Sequence, residues 1–173
     1  MEDELLKEIN SESEYEISYR ILVEAGEDMF HNLGLKHWYP PISRTEYMAQ
    51  LKGSKFFLYS VNDQIVATFA LSTQDNSYPD PIWNNIDDAF VLSKLAVLPK
   101  YQHNRIGKKC LKAIEKYALE NGKSRILLDA VAEHPFLQKF YEGNGFNLVS
   151  QKEIISKRGN ICEIQLFENV LYE

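Results

Sequence analysis

Leu95-Ala-Val-Leu-Pro-Lys-Tyr-Gln-His-Asn-Arg-Ile-Gly-Lys-Lys109 decides the fold. An apolar run that begins at Ala89 closes at Leu98, Pro99 ends it, and a short polar turn follows. Apolar residues then recur at helical spacing from Ile106 to Glu120, and Asn121-Gly122 supplies the stop. The local plan is strand, tight turn, helix. A helix start carries free backbone N–H groups and a partial positive charge, which suits a phosphate. Gly107 has no side chain to keep a ligand from the backbone. Arg105, Lys108 and Lys109 fall in the first helical turn, where an exposed cation costs roughly 0.3–1 kcal/mol against the helix dipole. A bound polyanion would reverse that sign, and Lys112 and Lys116 extend the positive edge. The plainer alternative is a solvated face, because Glu115 and Glu120 share the helix. Two other phosphate motifs fail here. No earlier glycine stands at P-loop spacing, and the dinucleotide fingerprint needs three glycines where this turn has one.

Outward from this turn, the chain reads as alternating helices and strands. The first 15 residues are charged and read as frayed or weakly helical. Ile17, Ile21, Leu22, Ala25, Met29 and Phe30 predict a helix to Leu33 with Gly34 as its stop. Pro40-Pro41 forces a loop, and Ser43 with Glu46 forms a capping box for a second helix to about Leu51. Phe56–Val61 and Ile65–Ser72 read as a hairpin turned at Asn62-Asp63, and residues 74–87 as a loop. Beyond the central helix come a strand over Arg125–Val131, a helix opened by Pro135, and two last strands over Phe146–Ile155 and Asn160–Phe167. The order α, α, β, β, β, α, β, α, β, β is mixed α/β in one domain spanning residues 1–173.

Bulk properties narrow the function classes. The 173 residues are 45% hydrophobic and 25% charged, with a net charge of −6, which argues against a nucleic-acid binder. Cys110 and Cys162 match no zinc or redox spacing and read as small buried residues in a reducing compartment. The acidic N-terminus has no apolar signal region and no stretch reaches membrane-span length. A cytoplasmic protein without a membrane or metal partner is the expectation.

Two motifs, in order, resemble those of the GNAT superfamily of N-acetyltransferases. The turn is similar to the family's Arg/Gln-x-x-Gly-x-Gly/Ala, with Gln102 first, Arg105 where the middle glycine stands and Gly107 last. Downstream, Tyr141-Glu-Gly-Asn-Gly-Phe146 resembles the family's Tyr-x-x-x-Gly-Phe. The resemblance implies a single domain with a central, largely antiparallel twisted sheet flanked by helices. It implies that backbone amides of Gln102, His103, Asn104, Arg105, Ile106 and Gly107, with Lys108 beside them, hold the pyrophosphate of acetyl-CoA. Backbone groups of Leu95, Ala96 and Val97 would take the pantetheine arm as an added strand. His134, where the family often has Asn, and Phe140 would complete the acetyl-CoA contacts.

The chemistry implied is transfer of an acetyl group from acetyl-CoA to a primary amine of a small molecule, directly, in a ternary complex. Tyr141, a phenol with an ordinary pKa near 10, would donate a proton to the leaving thiolate. A core tyrosine among Phe136, Leu137 and Phe140 is the competing reading. For the proton of the amine, Asp87, Asp88 and Glu133 are candidates, and Asp88 just ahead of the central strand is preferred. Asp129, inside a strand, reads equally as a buried structural carboxylate. Trp38 and Trp83, on loops, are candidate walls for the acceptor. The net negative charge favours a cationic amine. Arg105 and His134 at atypical positions motivate an alternative, an acyl-CoA-binding sensor without turnover. A homodimer paired through the final strands is a further expectation.

Overall fold

The computed structural model describes residues 2–172. Its strands are β1 (Glu4–Glu8), β2 (Lys55–Val61), β3 (Gln64–Ser72), β4 (Ala89–Val97), β5 (Arg125–Val131), β6 (Asn147–Ile155) and β7 (Ile161–Val170). Its α-helices are α1 (Glu12–Leu33), α2 (Arg44–Gln50), α3 (Ile106–Glu120) and α4 (Leu137–Glu142). They form a mixed α/β fold on a seven-stranded sheet of order β1-β2-β3-β4-β5-β7-β6. The β1–β2, β2–β3, β5–β7 and β6–β7 pairs are antiparallel, and β4–β5 is parallel. Parallel neighbours need a long crossover, and α3 supplies it.

Residues near the N-terminus depart from expectation. Leu5, Leu6 and Lys7 pair with Ser60, Tyr59 and Leu58, so a strand stands where fraying is expected. The backbone of Glu4–Glu8 finds hydrogen-bond partners along β2, and Ile9 is buried in the core. α1 also begins earlier than its apolar face suggests, at the N-cap Ser11, whose hydroxyl accepts from the Glu14 N–H. α4 starts at Leu137, two residues after the proline expected to open it, and β7 runs on to Val170.

The chain gathers into two compact units, one through Leu71 with Lys94–Ala113, the other Ser72–Ser93 with the residues from Ile114 on. In the first, β2 and β3 bury both faces. Phe56 and Leu58 pack with Ile21, Leu22 and Ala25 of α1 and Tyr47 of α2. Tyr59, Val66 and Ala67 pack with Ile106 and Cys110 of α3. Two-sided burial explains why β2 reads as a nearly continuous apolar run. A chain of hydroxyls crosses this core. Tyr47 donates to Ser18 (2.5 Å), Ser18 meets Thr68 (2.6 Å), and Thr68 donates to the Phe57 carbonyl (2.8 Å). Since Thr68 spends its proton on the carbonyl, Ser18 must donate to it, and the chain has one direction. Gly26 of α1 meets the 36–41 loop so closely that an added Cβ would lie 2.5 Å from the Trp38 carbonyl oxygen.

In the second unit, β5, β7 and β6 carry the core. Ile164 and Leu166 of β7 pack with Ile82, and Tyr78 and Trp83 of the 74–87 loop lie against that cluster. The Asp75 carboxylate pins the loop by accepting from the N–H groups of Ile82 (2.8 Å) and Trp83 (2.7 Å). Arg125 donates to Glu168 (3.0 Å) and to the carbonyls of Asn85 (3.2 Å) and Asp87 (2.6 Å), holding the loop's far end at β5.

Candidate active site

The decisive turn is built as a 3-10 segment, Pro99–Asn104, followed by Arg105 in the left-handed region (φ 59) and then α3. Proline suits the first position of such a segment because it lacks the N–H that would go unpaired. The Leu98 N–H donates to the Val66 carbonyl (2.9 Å), and Tyr101 N–H to Leu98 (2.8 Å), which fixes the turn against β3. Gln102 folds its amide back to the Val97 carbonyl at 3.3 Å. The first helical bond of α3 runs from the Lys109 N–H to the Arg105 carbonyl (3.1 Å). The N–H groups of Ile106, Gly107 and Lys108 therefore have no acceptor within the helix. An open cleft of about 450 Å³ is lined by Tyr101, His103, Asn104, Arg105 and Ile106 on one side and by the β2–β3 hairpin and the acid Glu2 on the other.

The unusual backbone in this turn belongs to Arg105. Gly107 is absent from the left-handed residues, whereas Arg105, at the position the family gives to glycine, is among them. A non-glycine residue there costs about 1 kcal/mol or more. The first-turn cations also divide. Lys109 pairs with Glu2 and with Glu4 (3.4 Å), so acids of the N-terminal segment already offset its charge. Among the described residues, Arg105 and Lys108 make no ion pair, and both are exposed.

β4 carries a second strained residue. Lys94 has φ 55 in mid-strand, half-buried, with its ammonium 6.0 Å over the Phe56 ring. A left-handed residue inside a strand re-aims the residues after it, here Leu95, Ala96 and Val97. Of these, Ala96 is buried while Leu95 and Val97 are half-buried. Parallel pairing of β4 with β5 covers Ala89–Leu92 against Arg125–Leu128, ahead of all four residues. The sequence signal for this irregularity is the polar pair Ser93-Lys94 inside an otherwise apolar strand.

Tyr141 lies on α4, 8% exposed, its ring packed on Phe140 (5.1 Å), Phe167 (5.5 Å) and Phe146 (5.7 Å). Burial, and then the charge of Asp129, push its phenol above the ordinary tyrosine value and keep it protonated. His134 is half-buried just before α4. Its Nδ1 accepts from the Phe136 N–H at 3.2 Å, so the neutral ring carries its proton on Nε2. Burial lowers its pKa. Phe140 accepts the Asn144 side-chain amide on its carbonyl at 2.7 Å.

The remaining candidates lie on other elements. Asp88 is exposed at the N-terminal end of β4, with φ 54. Its carbonyl accepts from the Ser124 N–H (2.9 Å) and the Arg125 N–H (3.2 Å). Trp38 is half-buried on the α1–β2 core. Trp83 is half-buried too, yet its indole N–H is buried and has no acceptor among the described residues. Asp129, left open in the sequence between base and structural carboxylate, meets Tyr78 of the 74–87 loop, a residue the sequence did not single out. The phenol donates to Asp129 Oδ2 at 2.5 Å, and burial, then that carboxylate, raise its pKa. No group of three or more His, Cys, Asp or Glu that could hold a metal occurs among the described residues. No described helix is long and apolar enough to cross a membrane.

The family model for GNAT acetyltransferases matches residues 19–146, and the chain belongs to that family, whose members use acetyl-CoA as acyl donor. Solved structures share the fold. The ribosomal-protein-S18-alanine N-acetyltransferase of Escherichia coli is 16% identical with a TM-score of 0.70, over 99% of this chain and 96% of that one. A GNAT-family acetyltransferase of Staphylococcus aureus is 20% identical with a TM-score of 0.67, over 98% and 100%. One from Elizabethkingia anophelis, solved with acetyl-CoA bound, is 15% identical with a TM-score of 0.66, over 97% and 98%. No curated protein matches the chain in sequence.

Proposed function

We propose that the chain is an N-acetyltransferase that moves an acetyl group from acetyl-CoA to a primary amine of a small molecule, directly, in a ternary complex. The observation that carries this reading is the start of α3. Three N–H donors without helical acceptors and two cations without an ion pair, Arg105 and Lys108, stand at that start, and Arg105 and Ile106 line an open cleft. Such a set fits a pyrophosphate, because the helix dipole and the cations both favour an anion there. In this reading Gln102, His103, Asn104, Arg105, Ile106, Gly107 and Lys108 hold the phosphates. Leu95, Ala96 and Val97 offer backbone groups beyond the left-handed residue Lys94. His134 offers Nε2–H as a donor, and Phe140 holds the Tyr141 ring in place.

Acetyl-CoA supplies an activated thioester. Tyr141 holds a proton on its phenol for the sulfur that departs, and its raised pKa keeps that proton in place at neutral pH. Trp83, half-buried on the 74–87 loop, is the second candidate wall for the acceptor. Trp38 supports the wall through its packing. Asp88 is the candidate for the amine proton; its exposed carboxylate and engaged carbonyl make Asp88→Asn the direct test, and an unchanged rate removes it from the mechanism.

The experiment follows release of free thiol from acetyl-CoA with an amine panel. Tyr141→Phe should lower kcat by about 10²-fold or more with CoA affinity kept, the range of a lost general acid. An unchanged kcat excludes Tyr141 as the acid. CoA binding without turnover on any amine would instead favour a sensor.

A further inference from the structure

We propose that the open face of the β6–β7 ribbon is an interface with a second copy of this chain, in which the acid pair Glu153 and Glu163 of each copy meets the cationic tip Lys157-Arg158 of the other. This does not depend on the transferase reading. Register pairs Gln151 with Gln165, Glu153 with Glu163 and Ile155 with Ile161, so these side chains share one face of the ribbon. The opposite face is closed. Ile154, Cys162 and Ile164 pack there in the cluster with Ile82, and the Lys152 ammonium donates to the Ile82 carbonyl (2.7 Å). On the open face α4 meets the first pair, where Gln165 donates to Gln138 (3.0 Å) and to Gln151 (3.2 Å). Further along, Glu153, Glu163, Ile155 and Ile161 are exposed, the isoleucines at 60% and 69%.

Two features of this face call for a partner. Glu153 and Glu163 stand directly opposite each other, and like charges so placed destabilise a strand pair. Gln151 donates to Glu163 (2.7 Å), yet among the described residues no cation pairs with either carboxylate. Next to them lie the exposed isoleucines, and past those the exposed tip carries Lys157 and Arg158. The spacing selects the occupant. Glu153 is two residues before Ile155 and Lys157 two after it, about 7 Å each way along the strand. A two-fold axis crossing the ribbon at the isoleucine pair therefore lays isoleucines on isoleucines and sets each acid pair over the other copy's tip. Such a patch is self-complementary, as an isologous interface requires. The free edge of β6 is a poorer seam, because its register shifts at Leu148/Ser150 and Lys152 and Glu153 stand in mid-strand. The face is small, which puts the dimer at the transient end of interface sizes.

The test is sedimentation equilibrium of the full-length protein at low ionic strength. Wild type should pass from monomer to dimer over about two decades of micromolar concentration, and added salt should weaken the dimer. Ile161→Ser, felt twice across a two-fold axis, should weaken it about 10-fold or more. Charge reversal gives the decisive arm. Glu153→Lys with Glu163→Lys should abolish the dimer, and so should Lys157→Glu with Arg158→Glu, since each sets like charges together. An equimolar mixture of the two double variants should dimerise again, because each protein's face then meets an oppositely charged tip. Wild type that stays monomeric throughout that range overturns the proposal. A dimer of wild-type strength in Ile161→Ser and in both double variants overturns it too, since the contact then lies elsewhere. The same holds for a mixture that stays monomeric while both double variants keep the wild-type circular dichroism.

Discussion

Arg105 joins two demands that usually fall on different residues. Its backbone takes the left-handed turn that glycine takes at no steric cost, while its guanidinium stands beside the helix start. Arg105→Gly separates the two. Stability should stay within about 1 kcal/mol of wild type, since relieved strain offsets the added freedom of the unfolded chain. CoA affinity should drop severalfold, while affinity for a phosphate-free pantetheine fragment holds, and calorimetry on both ligands reads the split. His134 gives a pH prediction. Its folded pKa is depressed, so the unfolded chain binds the proton more readily, and stability is full above the ordinary histidine value and falls as pH drops below about 6.5. His134→Gln should flatten that part of the urea-midpoint profile. The motif residues Gln102, Gly107 and Tyr141 were legible from spacing. The left-handed state of Arg105 was not, because an arginine carries no backbone signature of its own.

Elements differ in how plainly they announce themselves. α1 and α3 have periodic apolar faces, α1 and α2 have serine N-caps, and the turn at Asn62-Asp63 has left-handed residues at both positions, as a tight hairpin requires. β1 escaped because Glu-Leu-Leu-Lys-Glu has no alternation, and its order comes from pairing with β2 rather than from its own side chains. That strand also delivers acids to Lys109. Replacing Glu2 and Glu4 together by Gln should raise CoA affinity severalfold at low salt, and the gain should fade as ionic strength rises. An affinity unchanged at low salt would show that Lys109 plays no part in anion binding. α1 gives a packing test. Gly26→Ala drives a methyl into the Trp38 carbonyl, and the expected loss is about 1–3 kcal/mol in chemical denaturation.

At the scale of the whole molecule, the alternation of helices and strands was readable because each segment has a clean period and a turn signal. Strand neighbours were not readable, since β7 lies between β5 and β6 and nothing local in the sequence says so. The Tyr78–Asp129 hydrogen bond was the least legible contact. Tyr78 sits in a loop of mixed polar residues, and its partnership with Asp129 spans 51 positions. A ligand that binds only the folded chain stabilises it by about 2.7 kcal/mol at a hundred times its Kd. For a chain of this length, CoA at that excess should raise the melting midpoint by about 5–10 °C.

The directed run from Tyr47 through Ser18 and Thr68 to the Phe57 carbonyl has a spectroscopic consequence. Its three hydroxyl protons sit in a core that water does not enter, and none can turn away without leaving an oxygen unmatched. Hydroxyl protons ordinarily trade with solvent too fast to be seen. These three should persist as separate, far-shifted proton resonances in water, and Thr68→Val should remove its own line and displace that of Ser18 while the Tyr47 line survives.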